Sequence, residues 1–165
     1  MKTKTILMTA VVAVILAACG KTEKASTEEQ TQAASTETNE ALKVVLTGYF
    51  EVKNALVNDD AAKAKSAATA LAASTGNYAE QLNEYVLAIG ETDNIEEQRE
   101  AFEALSISIY DLAKAGGAGL TVYKQYCPMA FDDKGAFWLS DEKQVLNPYF
   151  GASMLRCGSV QETIN

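Results

Sequence analysis

Two short runs near the C-terminus hold the residues best suited to chemistry: Cys127-Pro128-Met129 and Met154-Leu155-Arg156-Cys157. Two thiols and two thioethers form a soft donor set that selects monovalent copper or silver. The chain has no histidine, so sulfur and carboxylate are its strong metal ligands. A thiol and a thioether two residues apart converge on one ion if the proline between them bends the chain. Met154 and Cys157, three apart, share a face on a helical turn. Cys127, Met129, Met154 and Cys157 are therefore the candidate ligands for Cu(I) or Ag(I). Thiolate ligation releases protons, so such a site weakens at low pH. The same cysteines admit a second chemistry. In an exported protein a Cys127–Cys157 disulfide would close a loop of about thirty residues, worth roughly 3–4 kcal/mol by chain entropy. The methionines would then be packing around it. Residue types leave both readings open, and a reversible pair would bind metal when reduced.

The N-terminus argues for export. Met1-Lys2-Thr3-Lys4 is basic, and residues 5–15 are apolar but too few to span a bilayer. Leu16-Ala17-Ala18-Cys19 has the pattern of a bacterial lipoprotein signal. Such a signal is cut before its cysteine, which is diacylated. The expectation is a signal peptide over 1–18, lipidation at Cys19 and a lipidated flexible tether over 19–39. Two or three acyl chains anchor stably where one is marginal. Gly20 follows the cysteine in place of an inner-membrane aspartate, which points to the outer membrane, facing the periplasm. Residues 20–38 contain no aromatic or large aliphatic residue, and such a segment buries too little surface to offset its ordering entropy.

Most enzyme classes are excluded. Without histidine there is no Ser-His-Asp or Cys-His arrangement. Gly116-Gly117-Ala118-Gly119 lacks the strand and helix flanks of a phosphate loop. No Glu-x-x-His pair suits a di-iron core, and the cysteines are not a Cys-x-x-Cys redox motif. Asp132, Asp133, Asp141 and Glu142 do not fit a calcium loop and read as a solvated rim. A net charge of −8 argues against nucleic acid as a partner.

The sulfurs must be positioned by helices. Leu42, Val45, Leu46, Tyr49, Val52 and Leu56 recur at three- and four-residue steps. Asn58-Asp59 reads as a stop and a new N-cap. Ala64, Ala67, Ala68 and Leu71 give a second, narrow stripe of small residues, broken at Gly76-Asn77. Tyr78, Leu82, Tyr85, Val86 and Ile89 give a third, ended by Gly90. Asp93-x-x-Glu96 opens a fourth as a capping-box variant, with Ile95, Phe102, Leu105, Ile109 and Leu112 as its stripe. Short links between four amphipathic helices predict an all-α, antiparallel four-helix bundle. Residues 120–165 change character, with both prolines and the single tryptophan. Leu120–Tyr126 has strand composition and Phe137-Trp138-Leu139 is a short extended piece. Asp132–Gly135 is a turn, and Asn147–Gly151 leads into a helical turn carrying Met154. This tail is too short for its own core and is expected as an irregular aromatic, cysteine-containing segment packed on the bundle. Residues 40–165 thus form a single domain.

Tyr126-Cys127-Pro128-Met129-Ala130-Phe131, Gly135-Ala136-Phe137-Trp138-Leu139-Ser140, Asn147-Pro148-Tyr149-Phe150-Gly151 and Met154-Leu155-Arg156-Cys157-Gly158 together resemble a poorly characterised family of bacterial periplasmic domains. That family occurs as stand-alone lipoproteins and as C-terminal extensions of membrane-fusion adaptors of copper and silver efflux pumps. The resemblance spans residues 40–162. Tyr126-Cys127-Pro128-Met129 is also similar to small heavy-metal-binding modules in such adaptors, with one residue fewer between Tyr and Cys and no following histidine. The resemblance implies copper or silver handling, with an efflux adaptor as partner. It does not assign ligands.

Overall fold

The computed structural model describes residues 25–165, with side chains from residue 40. The signal peptide over 1–18, Cys19 and the residues up to 24 lie outside the described residues. Four long helices come first: α1 Ala25–Val57, α2 Ala61–Ala72, α3 Ala79–Glu91 and α4 Ile95–Gly116. Because α1 begins at Ala25, it takes in residues whose composition suggests a tether. The apolar stripes are the buried faces. Leu42, Val45, Leu46, Tyr49, Val52 and Leu56 are buried on α1, and Ala64, Ala68 and Leu71 on α2. Leu82, Val86 and Ile89 follow on α3, then Phe102, Leu105 and Ile109 on α4. Each helix packs on the next, and α1 also packs on α4. Gly48 permits the close approach of α1 and α2, since a Cβ there would lie 2.8 Å from Leu71 Cδ1.

Three helix ends differ from expectation. Asp60, not Asp59, caps α2, its carboxylate accepting from the Lys63 amide at 2.9 Å. Asp59 instead takes a left-handed φ of 56°, which turns its carboxylate toward Arg99 and the Ala152 amide. Gly90 lies inside α3, which runs to Glu91 and stops at an extended Thr92. Asn94, not Asp93, caps α4 by accepting from the Glu96 amide at 3.0 Å. Asn and Asp are about equally good caps, and Asp93 is drawn away to Lys65 of α2, 2.9 Å distant.

The all-α expectation needs correction in the tail, part of which forms a sheet. β1 Val122–Cys127, β2 Ala136–Ser140 and β3 Ser159–Ile164 form an antiparallel sheet in the order β2-β1-β3. A tail laid against helices must satisfy its own backbone hydrogen bonds, and the sheet does so. β3 was not anticipated. Its buried residue Ile164 and half-buried Val160 and Glu162 alternate with exposed neighbours, a short period-two pattern. Val122, Trp138, Leu139, Tyr149 and Ile164 join the helix stripes in one core. Buried Tyr49 ties the layers, its hydroxyl 2.7 Å from Ser106 Oγ and accepting from the Leu139 amide at 3.0 Å. Among the described residues no helix is long and apolar enough to cross a membrane.

Candidate thiol and thioether site

Strand pairing brings the two cysteines together. Cys127 ends β1, and Tyr126 pairs with Ser159 at the start of β3. Continuing that register past the strand ends sets Gly158 opposite Cys127, with Cys157 the next residue along. Their sulfurs are 3.0 Å apart and unbonded. Gly158 makes the crossing possible at φ 135°, where a Cβ would lie 2.8 Å from the Tyr126 carbonyl oxygen and 3.1 Å from Trp138. Buried Asn147 fixes the approach of Cys157. Its Nδ2 donates to the Cys157 carbonyl at 2.9 Å, its amide donates to Leu155 O at 2.9 Å, and its Oδ1 accepts from the Tyr149 amide at 2.8 Å. Cys127 is fully buried and Cys157 half-buried. The hydrogen bond with Cys127 and desolvation push the Cys157 thiol up to about 11.

The methionines lie elsewhere. Met129 and Met154 both line a cleft of about 530 Å³ together with Arg99, Phe131 and Asp132, and neither cysteine lines it. Met129 is 47% exposed. Met154 ends a 3-10 turn, Gly151–Met154, into which Asn147–Gly151 is expected to lead, and Cys157 lies beyond that turn. One wall is a left-handed turn in which Phe131, Asp132 and Asp133 have φ of 53°, 55° and 64°. Three consecutive non-glycine residues in this region cost about 1–2 kcal/mol each. The turn is held by the Gly135 amide donating to Ala130 O at 2.9 Å and by the Phe131 ring, edge-on to Tyr149 at 5.2 Å. Gly135 itself (φ 79°) has no room for a Cβ against the Tyr126 hydroxyl. Asp132, Asp133, Asp141 and Glu142 are all exposed, as a rim should be, and Asp141 also pairs with buried Lys53 at 3.0 Å. Trp138 is core, fully buried and edge-on to Tyr149 at 5.8 Å.

The cleft is also lined by Arg99, which sequence reasoning did not single out. It is nearly buried and saturated with partners: Pro148 O at 2.9 Å, Glu96 Oε1 at 2.7 Å and Asp59 Oδ1 at 2.6 Å. Its position was legible, four residues after Ile95 and three before Phe102, on the apolar stripe of α4. Lys53, four residues after Tyr49 on α1, is the parallel case.

The thiol pair is poised between two chemistries. A disulfide requires about 2.05 Å between sulfurs. Two thiolates at about 2.3 Å from a tetrahedral ion are roughly 3.8 Å apart. The observed 3.0 Å is within an ångström of either. Among the described residues no three thiols and carboxylates converge on one point, so the thiol pair stands as a two-donor set. Residues 45–120 match the model of a family described as a protein of unknown function (DUF3347). That span ends before β1 and so excludes all four sulfurs. No curated protein and no solved structure matches the chain.

Proposed function

We propose that this is an envelope protein, lipid-anchored through Cys19 at the outer membrane and facing the periplasm, that binds Cu(I) or Ag(I) for buffering or for handover to an efflux adaptor. Cys127 and Cys157 are the primary ligands that hold the ion, and Met129 and Met154 are thioether donors on the adjoining cleft. The observation that carries this reading is the arrangement of all four sulfurs on two adjoining segments, the thiols in contact and the thioethers on one cleft. The four helices, packed in cyclic order, act as an antiparallel bundle that supports the tail. The test is competition of the reduced protein against a chromophoric Cu(I) chelator. A single ion should bind per chain, and Cys127→Ser with Cys157→Ser should abolish that affinity. No Cu(I) uptake by the reduced protein overturns the reading.

The 3.0 Å contact between sulfurs also favours a second reading, a non-metal interaction module stapled by a Cys127–Cys157 disulfide and docking on an envelope or efflux-adaptor protein. Intact mass and thiol titration of protein taken from the cell envelope separate the two. A quantitative disulfide resistant to mild reductant supports the staple, and two free or metal-protected thiols support the metal site.

A further inference from the structure

We infer that Met129 and Met154 form a surface capture site for soft monovalent cations, from which the ion passes to the thiol pair; this rests on the metal reading above. The donors are placed at different depths. Met129 is about half exposed and opens on the cleft, whereas Cys127 is fully buried and half-buried Cys157 lies off the cleft. Both thioethers line the cleft and neither thiol does. An ion that enters the cleft therefore meets thioether sulfur, which carries no proton, and not a thiol. Each thioether is joined to a thiol by a short, fixed link. Pro128 alone separates Met129 from Cys127, and the Cys157 amide donates to Met154 O at 2.9 Å, closing the turn between them. The left-handed turn presents Asp132 and Asp133 on the same cleft, where their charge raises the local concentration of cations. In the transfer two thioether–metal bonds break, two thiolate–metal bonds form and two protons pass to water. No electron moves, so the ion keeps its oxidation state.

Ag(I), supplied as the nitrate, is the suitable probe because it needs no reductant. Trp138, the single tryptophan, lies against Gly158 next to Cys157 and reports arrival at the thiols. Stopped-flow fluorescence of the reduced full chain should show association slowed about tenfold by Met129→Leu with Met154→Leu, while equilibrium affinity changes less than about threefold. These swaps conserve volume, and an unchanged melting curve confirms the fold. In the converse experiment, Cys127→Ser with Cys157→Ser should retain a weak Ag(I) site that disappears when both methionines are also changed. Unchanged association in the methionine variant overturns the capture site while leaving the metal reading intact. So does an affinity loss as large as the rate loss, because the thioethers would then be permanent ligands. Failure of the unaltered protein to bind Ag(I) overturns both.

Discussion

At the scale of single residues, Cys157 behaves as a thiol held back by its neighbour. Its pKa is pushed to about 11, first by the hydrogen bond with Cys127 and then by desolvation. Relative to its ordinary value of 9.0, this leaves roughly a hundredfold less thiolate at pH 8. The greater nucleophilicity of a more basic thiolate returns about a factor of ten. In the reduced protein, Cys157 should therefore alkylate more slowly, by up to about tenfold, than it does in a Cys127→Ala variant, read by mass spectrometry of the labelled peptide. Equal rates would mean that the thiols are not in contact in solution. A second residue-scale prediction concerns Gly135. Its left-handed φ and the Tyr126 hydroxyl against it make Gly135→Ala destabilising by about 3 kcal/mol or more, measured by urea unfolding. The four sulfurs were legible because residue type and spacing carry their chemistry. The aromatic wall was not, because nothing in the spacing of Phe131 and Tyr149 foretells the left-handed turn that sets Phe131 on the cleft.

At the scale of elements, the tail is fastened to the helices through Arg99. One guanidinium reaches the α1–α2 corner at Asp59, its own helix at Glu96 and the tail at Pro148. Arg99→Met should cost about 3 kcal/mol, the low end for breaking a buried pair, since both carboxylates can rehydrate. Chemical denaturation of the variant measures this. Asp59 adds a pH dependence. Its carboxyl is held below the ordinary 3.8, first by the Ala152 amide and, against some desolvation, by Arg99. A depressed folded-state pKa contributes stability that is complete above the unfolded value and is lost as pH falls through the folded one. Stability should thus decline with a steeper slope below about pH 4 in the unaltered protein than in Asp59→Asn; parallel slopes would remove Asp59 from the acid response. The helices were readable because their stripes repeat over many turns and satisfy one period. Their ends were less so, because Asp59, Asp60, Asp93 and Asn94 are all competent caps and tertiary partners decide among them. β3 escaped because a six-residue strand carries few apolar positions and owes its pairing to β1, a partner distant in sequence.

At the scale of the whole molecule, the helices and the tail share one core, although the family match covers only the helical part. Tyr49 of α1 stacks on Phe102 of α4 at 4.9 Å, and its hydroxyl takes the Leu139 amide of β2. Tyr110 of α4 donates to Glu162 of β3 at 2.8 Å, and its ring meets Phe137 edge-on at 5.4 Å. Lys53 of α1, buried among these layers, depends on Ser140 and Asp141 for partners. Removing the tail would leave Lys53 and the Tyr49 ring facing an open surface. It would also forfeit the burial of Trp138, Leu139, Tyr149 and Val122, each worth about 1.5–3 kcal/mol. The sum is comparable to the whole stability of a typical domain, about 5–15 kcal/mol. The full chain should therefore unfold in one transition, seen together by far-ultraviolet circular dichroism and by Trp138 fluorescence. A chain ending at Gly119 should lose cooperative unfolding altogether. If that shortened chain instead melts cooperatively near the temperature of the full one, the helices are an independent support and the sulfur-bearing tail an appendage. The distinction matters for the site: in a single cooperative unit, the spacing of the thiols is set by the helical core as much as by the strands that carry them.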